Sequence, residues 1–490
     1  MIKKRAFHLA FFVALSTLVF SSTSSGLSTT NVFITSTGTI NYIGHVSSSV
    51  YYIAASSDSN SVVTPSGVIA VDAGSSLSFS MLPSEGYSIS SVIVDSVNLG
   101  PITDYTFTAV DNNHTISVSS VFKSTSELKT ALIIYGTYSL TPAQQADVAN
   151  FDLLVTSYEM AQDSLAGIKA LNPNILIFVY IDVVACHPII NTQPNPVWDE
   201  VNSHEDWFIH DNAGNRVINT YWWGWYLMDV RSGWRDFYVQ RSNELLSSPY
   251  VDGIYGDDVI NEIRWTIEAG VFSDAVTNTV VAQADFPSSY LDNWKSDMVV
   301  FLNYVKNGIN GKFLINSEER ATNSYLVNTN VDGKMSENFV GTTSESRFLE
   351  YVNGMVSGSA TGKIFLAEST GGWEPYTPSQ HSGEFCYASA LLAMNGENCY
   401  FGYNYGAYYG YEQGTDYMPT MTSNLGSPSG AYYKIQSVYQ RDFTNGKVVV
   451  NPSDASYTVN LGGNYQLLDG TTVSSISLGP WSGEILSALK

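Results

Sequence analysis

Residues 226–259 read YLMDVRSGWRDFYVQRSNELLSSPYVDGIYGDDV, and this stretch is the most informative about the fold. A short apolar run at 225–230 is followed by an amphipathic helical pattern at 234–246 and by a second apolar run at 253–259. Strands that alternate with helical patterns are typical of units in which a helix connects two parallel strands. The stretch therefore predicts an α/β protein.

The same alternation continues on both sides over about 270 residues. Strand-like runs lie at 131–135, 151–157, 175–182, 225–230, 253–259, 312–317, 333–339 and 363–369, with amphipathic patterns at 163–171, 234–246, 291–305, 344–356 and 384–394. Eight such runs predict a (β/α)8 TIM barrel. The alternative, a doubly wound open sheet, would need a glycine-rich nucleotide loop after the first strand. The chain reads Gly-Thr-Tyr-Ser-Leu there, which is not such a loop.

The barrel pattern is flanked by segments in which only strands are predicted. Residues 31–123 show two-residue alternation between turn residues, which predicts an N-terminal, sandwich-like all-β module. Short strands from about residue 437 predict a small C-terminal β-sandwich domain. The expected domains are a signal peptide at 1–26, the β-rich module at 31–123, the catalytic barrel at 130–436 and the β domain at 437–490.

The first 26 residues have the features of an export signal. Lys3, Lys4 and Arg5 precede an apolar run at 10–20 and a small polar stretch. We expect a secreted, extracellular protein, with an uncleaved tether at the cell surface as the alternative. No later run approaches the ~18 apolar residues of a spanning helix, so no membrane association is expected beyond the export signal.

Composition excludes several classes of partner. The 490 residues carry 45 acidic and 22 basic side chains, a net charge of −23, and aromatic residues make up 13%. Nucleic acid binding requires clustered Lys and Arg, so it is not expected. The three cysteines, Cys186, Cys386 and Cys399, lack zinc-type spacing and are expected to be small buried side chains. No metal and no organic cofactor is expected.

Acidic and amide side chains collect at the ends of the strand-like runs: Asp182, Asp229, Asp257, Asp258, Asn316, Glu337 and Glu368. In a barrel the C-terminal ends of the strands open onto one cleft. Two-residue alternation places Tyr255 and Asp257 on one face, and Asp258 on the other. It pairs Met335 with Glu337 in the same way. Two facing carboxylates are the groups that hydrolyse glycosidic bonds, so Asp257 and Glu337 are the predicted catalytic pair.

Each remaining candidate has a substrate-binding and a structural interpretation. We predict substrate contacts for Asp229, Asp258, Asn316 and Glu368, with Glu368 a rival acid. Structurally, Asp257 or Asp258 could cap a helix, Glu337 could pair with Arg264 or Arg347, and Asp229 could hold Arg231 or Arg235. Glu318 and Glu319 are expected to be solvated loop charges.

Aromatic residues near the predicted strand ends form the second signal. Sugar rings pack their C–H faces on flat aromatic rings, and tyrosine hydroxyls bond sugar hydroxyls. Trp223 and Trp373 are the predicted platforms, and Tyr403, within the aromatic-rich segment 400–411, is a predicted substrate contact. The alternative for these residues is ordinary core packing.

Two segments resemble known families. The stretch 226–259, with the later FLINS, VDGKMSENF and FLAES and the ending at 441–486, resembles hypothetical glycosyl hydrolase family 15 over about residues 130–490. The resemblance implies that Asp257 and Glu337 are the acidic residues of the site. This sequence departs from the family's pattern at Gly256, where a bulkier apolar residue is common in the family. A wider cleft or a shifted strand is expected there. Residues 67–122 resemble the small β-rich repeat modules of secreted proteins, which implies a spacer or weak ligand contact.

These observations predict a secreted glycoside hydrolase that cleaves O-glycosidic bonds of a polysaccharide with two carboxylates. The alternative is a non-catalytic carbohydrate-binding or cell-surface protein on the same barrel. A metal-dependent hydrolase such as a deacetylase is less favoured, because no His and Asp ligand set is visible.

Overall fold

The computed structural model of the chain divides into two compact units, residues 1–123 and 124–490. The residues described are 18–24, 28–34, 40–47, 49–84, 87–99, 102–122, 128–136, 139–190, 193–219, 225–263, 288–317, 319–370, 381–404 and 425–489. Within these ranges, no helix is both long and apolar enough to cross a membrane. Of the predicted export segment, residues 1–26, the structure describes only Leu18–Ser24, which form a strand.

The N-terminal unit consists of strands, as its alternating pattern predicts. They are β1 (Leu18–Ser24), β2 (Ser28–Ile34), β3 (Ile40–Ser47), β4 (Val50–Ser57), β5 (Ser61–Thr64), β6 (Gly67–Asp72), β7 (Leu77–Pro83), β8 (Tyr87–Val94), β9 (Val97–Asn98), β10 (Asp104–Phe107) and β11 (His114–Phe122). They form sheets of order β1-β2-β3, β6-β4-β11-β8-β9 and β10-β7-β5. Ile53 and Ile116 of the five-stranded sheet share one core with Val63 and Phe79 of the second three-stranded sheet. These two sheets therefore pack as a sandwich.

The second unit is built on a closed barrel of eight parallel strands, which confirms the predicted fold class. In order around the barrel the strands are β12 (Lys129–Ile134), β13 (Leu153–Thr156), β14 (Leu176–Asp182), β20 (Gly253–Val259), β21 (Lys312–Ser317), β22 (Gly333–Ser336), β23 (Ile364–Thr370) and β24 (Cys399–Asn404). Alternate residues fill the interior, among them Ile133, Phe178, Tyr255, Leu314 and Met335. The barrel is therefore a packed core whose upper end must carry the site.

Helices cover the outside of the barrel and extend the loops between its strands. The described helices are α1 (Pro142–Val148), α2 (Gln162–Leu171), α3 (Trp198–Asn202), α4 (Trp234–Leu246), α5 (Ser288–Gly308), α6 (Ser324–Asn328), α7 (Glu345–Ser359) and α8 (Gly383–Ala393), with a 3-10 turn at Glu205–Trp207. All five predicted amphipathic patterns are confirmed as helices. Pro142 and a reciprocal Thr141–Gln144 capping box fix the start of α1.

The predicted fourth barrel strand is wrong. The run at 225–230 contributes β19 (Trp225–Leu227) to a small antiparallel sheet with β15 (Ala185–Cys186) and β18 (Ile218–Asn219). This sheet, with the two-residue strands β16 (Ile189–Ile190) and β17 (Gln193–Pro194), belongs to a long insertion after β14. The eighth barrel strand is β24 instead, so Asp257 lies on the fourth strand and Glu337 follows the sixth.

Three aspartates brace the lower end of the barrel in the same way. Asp152, Asp252 and Asp332 each immediately precede a strand. Each carboxylate accepts a hydrogen bond of 2.8 Å from a backbone N–H at the start of the preceding barrel strand: Thr130, Ile177 and Phe313, respectively. Two of them also pair with a helix lysine, Asp252 with Lys169 at 2.6 Å and Asp332 with Lys306 at 2.8 Å. Some of the chain's excess acidic residues therefore hold neighbouring barrel strands in register.

The chain closes in a six-stranded antiparallel sheet of order β25-β26-β27-β30-β28-β29. Its strands are β25 (Tyr433–Ile435), β26 (Val438–Phe443), β27 (Gly446–Asn451), β28 (Tyr457–Gln466), β29 (Thr472–Leu478) and β30 (Ser482–Ala488). One face shares a core with α8, since Tyr439, Val448 and Ile485 cluster with Phe385 and Ala388. The sheet and the barrel are therefore parts of one packed body.

Arg441 on β26 fixes the sheet to the barrel. Its side chain is buried and donates hydrogen bonds to the carbonyls of Leu391, Leu392 and Met394 at 3.0, 2.9 and 2.7 Å, and through Nε to Gly430 at 3.0 Å. The last carbonyls of a helix have no intrahelical donor. One buried guanidinium therefore caps the C-terminal end of α8. Burial lowers the Arg441 pKa to about 10, which leaves it charged at neutral pH.

We expect Arg441→Met to lower the free energy of unfolding by about 3 kcal/mol or more, because buried carbonyls lose their donor. Thermal unfolding followed by circular dichroism measures this. Lys434→Met, on β25 of the same sheet, is the matched control; its half-exposed ion pair with Glu345 contributes about 1 kcal/mol at most. Equal melting temperatures for the two variants would contradict the capping role.

Candidate active site

Asp257, Asn316 and Glu337 meet at the upper end of the barrel. The side-chain amide of Asn316 donates to Asp257 Oδ1 at 2.8 Å and to Glu337 Oε2 at 2.7 Å. The two predicted catalytic carboxylates are thus held on one nitrogen. The structure brings together the three residues that the strand-end pattern singled out most strongly.

The barrel interior explains why these side chains converge. Tyr255, Leu314 and Met335 point into the packed core, and the residues two positions further along each strand continue the inward row. Those residues are Asp257, Asn316 and Glu337. In the adjacent strands the same step leads from Phe178 to Tyr180, from Ile133 to Tyr135 and from Leu366 to Glu368. The site is the topmost polar layer of the barrel core.

Four donors surround the Asp257 carboxylate. Besides Asn316, it accepts from the Asp258 backbone N–H at 2.9 Å and from the hydroxyls of Tyr180 and Tyr255. Burial raises the pKa of Asp257, and the four hydrogen bonds oppose that rise because each stabilises the ionised form. Asp257 is therefore a partly exposed carboxylate whose orientation is fixed by its donors.

A tyrosine cluster beside Asp257 was missed by the sequence analysis. Tyr135, Tyr180 and Tyr255 have successive ring centroids 5.2 and 6.0 Å apart, and the hydroxyls of Tyr135 and Tyr255 are hydrogen-bonded. Burial and the charge of Asp257 raise the pKa of all three phenols, which stay neutral donors. The signal was available, since Tyr180 lies two residues before Asp182 just as Tyr255 precedes Asp257.

Glu337 sits in a tight turn immediately after β22. The turn is clamped to β23: the Asn338 N–H donates to Glu368 Oε2 at 3.1 Å, and Ser369 Oγ donates to the Phe339 carbonyl at 2.7 Å. Asn338 has a φ of +51°, a conformation that asparagine tolerates. Glu368 is fully buried, whereas Glu337 is partly exposed. Glu368 therefore supports the turn, and Glu337 faces the opening.

A second carboxyl pair lies next to Asp257. The Asp182 and Asp258 side chains are hydrogen-bonded to each other, and Asp182 Oδ1 accepts the N–H groups of Val184 and Ala185 at 2.8 and 2.7 Å. The prediction that the Asp258 side chain lies on the opposite face of the strand from Asp257 is wrong. A β-bulge between Gly256 and Val259 inserts one extra residue and breaks the alternation.

A family comparison covers most of this region. The model of "Hypothetical glycosyl hydrolase family 15" matches residues 169–447, more than half of the chain. The chain belongs to hypothetical glycosyl hydrolase family 15. The family 15 barrel is thus that of a glycoside hydrolase, and the matched segment includes Asp257, Asn316, Glu337 and Glu368. No curated protein matches the chain significantly.

Solved structures similar to this family 15 chain include a maltogenic alpha-amylase from Thermotoga neapolitana, at 11% identity and a TM-score of 0.42, covering 73% of this chain and 99% of that one. A cycloalternan-degrading enzyme from Trueperella pyogenes matches at 7% identity and a TM-score of 0.37, covering 94% and 89%.

Other predicted residues of the family 15 site have different surroundings. Asp229 binds Arg231 at 2.9 Å and accepts from the Tyr290 hydroxyl at 3.2 Å, so the predicted pairing with Arg231 is confirmed. Tyr403 is buried and its hydroxyl donates to the His381 carbonyl at 3.1 Å. Trp223, Trp373, Glu318 and Arg264 lie outside the described residues.

Two expectations are corrected. Glu319 is buried rather than solvated, and its carboxylate accepts from Lys295 at 3.1 Å and from the Tyr325 N–H at 2.8 Å. Gly256 does not widen the cleft, but the register of β20 against β21 does shift between Gly256 and Val259, as expected. A Cβ at this position would lie 2.7 Å from the ring of Phe313, so glycine permits close packing on the outer side of the barrel.

The described residues contain no group of three or more His, Cys, Asp or Glu side chains arranged to hold a metal ion. The three cysteines are buried and free, as predicted.

Proposed function

We propose that this family 15 glycoside hydrolase cleaves polysaccharide O-glycosidic bonds with retention of configuration, using Asp257 as nucleophile and Glu337 as acid and base. The observation that supports the proposal most directly is the shared hydrogen-bond donor of the two carboxylates, Asn316 Nδ2.

The shared donor limits the distance between the carboxylates. Both bonds, of 2.8 and 2.7 Å, end on one nitrogen, so the bonded oxygens of Asp257 and Glu337 lie at most about 5.5 Å apart. Retaining glycosidases have carboxyl groups about 5–5.5 Å apart, whereas inverting enzymes need roughly 6.5–9.5 Å to admit a water. The geometry therefore favours a double displacement through a covalent intermediate.

The surroundings of the two carboxylates assign their roles. A nucleophile must be ionised and rigid, and Asp257 has four donors and lies on a barrel strand. An acid and base must reach both the leaving oxygen and water; Glu337, which is partly exposed as Asp257 also is, lies in a turn after β22 rather than on a strand. The differing environments divide the labour between two otherwise similar groups.

The reaction then proceeds in two balanced steps. Asp257 attacks the anomeric carbon, the bond to the leaving oxygen breaks, and the Glu337 proton moves to that oxygen. Water next attacks the same carbon while Glu337 takes one of its protons, and the bond to Asp257 breaks. The phenols of Tyr180 and Tyr255 hold Asp257 through both steps.

We also propose that the enzyme acts outside the cell, because the charged and apolar pattern of residues 1–26 is that of an export signal. A polymeric substrate fits this location, since long glycans are degraded before uptake. Signal cleavage, measured by mass spectrometry of the exported protein, tests the location.

We expect the first sugar released to have the anomeric configuration of the bond that was cut. A panel of α- and β-linked polysaccharides, followed by reducing-end assay, identifies the substrate. Proton NMR within minutes of mixing then reads the product anomer before mutarotation. The opposite anomer would rule out Asp257 as nucleophile, and binding without hydrolysis across the panel would favour a carbohydrate-binding protein.

A further inference from the structure

Beside the proposed nucleophile lies a carboxyl pair that the mechanism does not use. Asp258 follows Asp257 directly, and Asp182 ends the neighbouring strand, where it pairs in register with Asp257. The side chains of Asp182 and Asp258 are hydrogen-bonded to each other. Neither carboxylate can donate unless it carries a proton, so this contact requires a protonated member.

We propose that Asp258 is a positioning residue for the nucleophile and acts as the protonated donor of a hydrogen-bonded acid pair with Asp182. The proposal rests on the proposed role of Asp257. Asp182 is the acceptor because its Oδ1 already takes the backbone N–H groups of Val184 and Ala185, which stabilise a negative charge.

The backbone shows why the pair affects Asp257. Asp258 has a φ of +56°, in the left-handed region, at the bulge where its N–H donates to Asp257 Oδ1 at 2.9 Å. A non-glycine residue in this conformation is held there by its surroundings. The hydrogen bond between the Asp258 and Asp182 side chains holds Asp258 in this conformation. It therefore fixes the bulge and, with it, the Asp258 N–H that donates to Asp257.

The surroundings keep the proton on the pair. The titratable and charged groups that face it are Asp257 on the same strand as Asp258, Glu337 in the turn after β22, and Tyr180, Tyr238 and Cys186. Arg241 and Asp182 both line a cavity on the outer side of β14, but the Arg241 guanidinium pairs with Glu244 at 3.0 Å. Burial and the neighbouring carboxylates raise the pKa of Asp182 to about 8 and hold the pKa of Asp258 well above its usual range.

The sign of the pH dependence follows. When the pair loses its shared proton at alkaline pH, two negative charges meet, the bond breaks and the bulge relaxes, so activity falls. Stability behaves in the same direction. The folded state keeps protons that the unfolded chain releases above pH ~4, so the free energy of unfolding declines as pH rises from about 4 towards the raised pKa values.

Asp258→Asn and Asp258→Gly separate this role from others. The asparagine amide can donate to Asp182 at every pH, and both residues tolerate a positive φ. We expect Asp258→Asn to keep at least about a fifth of the wild-type kcat/KM at pH 6, with the alkaline limb of the pH profile moved up by more than one unit. We expect Asp258→Gly to lose about 50-fold or more.

Three results would overturn the proposal: Asp258→Asn as inactive as Asp257→Asn at every pH, an unchanged alkaline limb in Asp258→Asn, or Asp258→Gly as active as wild type. Thermal unfolding between pH 5 and 9 provides a readout independent of activity, since Asp258→Asn should show a weaker loss of stability with pH than wild type. If the wild type hydrolyses no glycan, the proposed function fails, whereas the unfolding comparison still decides on the acid pair.

Discussion

We expect Asp257→Asn to lower kcat on the polysaccharide substrate by about 10⁴-fold or more while the melting temperature stays within a few degrees of wild type. Removing a catalytic nucleophile commonly costs this much, because no other group forms the covalent intermediate. The amide keeps the size of the carboxylate but cannot attack the anomeric carbon. Stability should survive, since the change removes a buried charge whose pKa burial raises.

Reducing-sugar release and circular dichroism on the same protein preparation measure both quantities. Asp163→Asn is the matched control, since Asp163 is an exposed residue in the first turn of α2 and should leave kcat unaltered. An Asp257→Asn variant with more than a tenth of wild-type activity would remove Asp257 from the mechanism. A smaller loss that came with unfolding would instead assign it a structural role.

We expect Glu337→Gln to lose about 10²- to 10⁴-fold on the polysaccharide, the usual contribution of a general acid. The loss should depend on the leaving group. A sugar leaving group needs the proton of Glu337, whereas a dinitrophenolate leaves without one. Formation of the covalent intermediate from a dinitrophenyl glycoside should therefore remain within about tenfold of the wild-type rate.

The companion variant Glu337→Ala should be accelerated by azide, because a small anion needs no base to attack the intermediate. The expected product is a glycosyl azide with the configuration of the substrate. Glu350→Gln, an exposed position on the outer helix α7, is the matched control. Equal losses of Glu337→Gln on both classes of leaving group would mean that Glu337 is not the proton donor.

The barrel itself could be predicted from local pattern. Strand-like runs that alternate with amphipathic helices identified seven of the eight barrel strands, and the strand-end rule identified Asp257, Asn316 and Glu337. The eighth strand was assigned wrongly because residues 225–227 are as apolar as a barrel strand. Which apolar run closes a barrel depends on pairing between segments far apart in sequence, and β24 pairs with β12 across some 270 residues.

The site shows the same division at the level of single residues. Two-residue alternation placed Tyr255 and Asp257 correctly, because both continue a regular strand. It failed one residue later, because the bulge at Asp258 is an irregularity that only the pairing of β20 with β21 creates. Asp182 was recognised as a strand end but assigned no role.

The acidic residues show which properties the local sequence determines and which depend on the tertiary structure. Composition and spacing were enough to predict a barrel with carboxylates at its strand ends, since polarity and periodicity are local properties of the chain. Only the tertiary structure shows the different surroundings of these carboxylates: Asp252 accepts a backbone N–H of the preceding barrel strand, the buried Glu319 accepts from the half-exposed Lys295, and Asp257 accepts from Asn316 and the Asp258 N–H. The physical reason is that the properties of a carboxylate depend on burial and on donors from other strands, and these exist only once the barrel is closed.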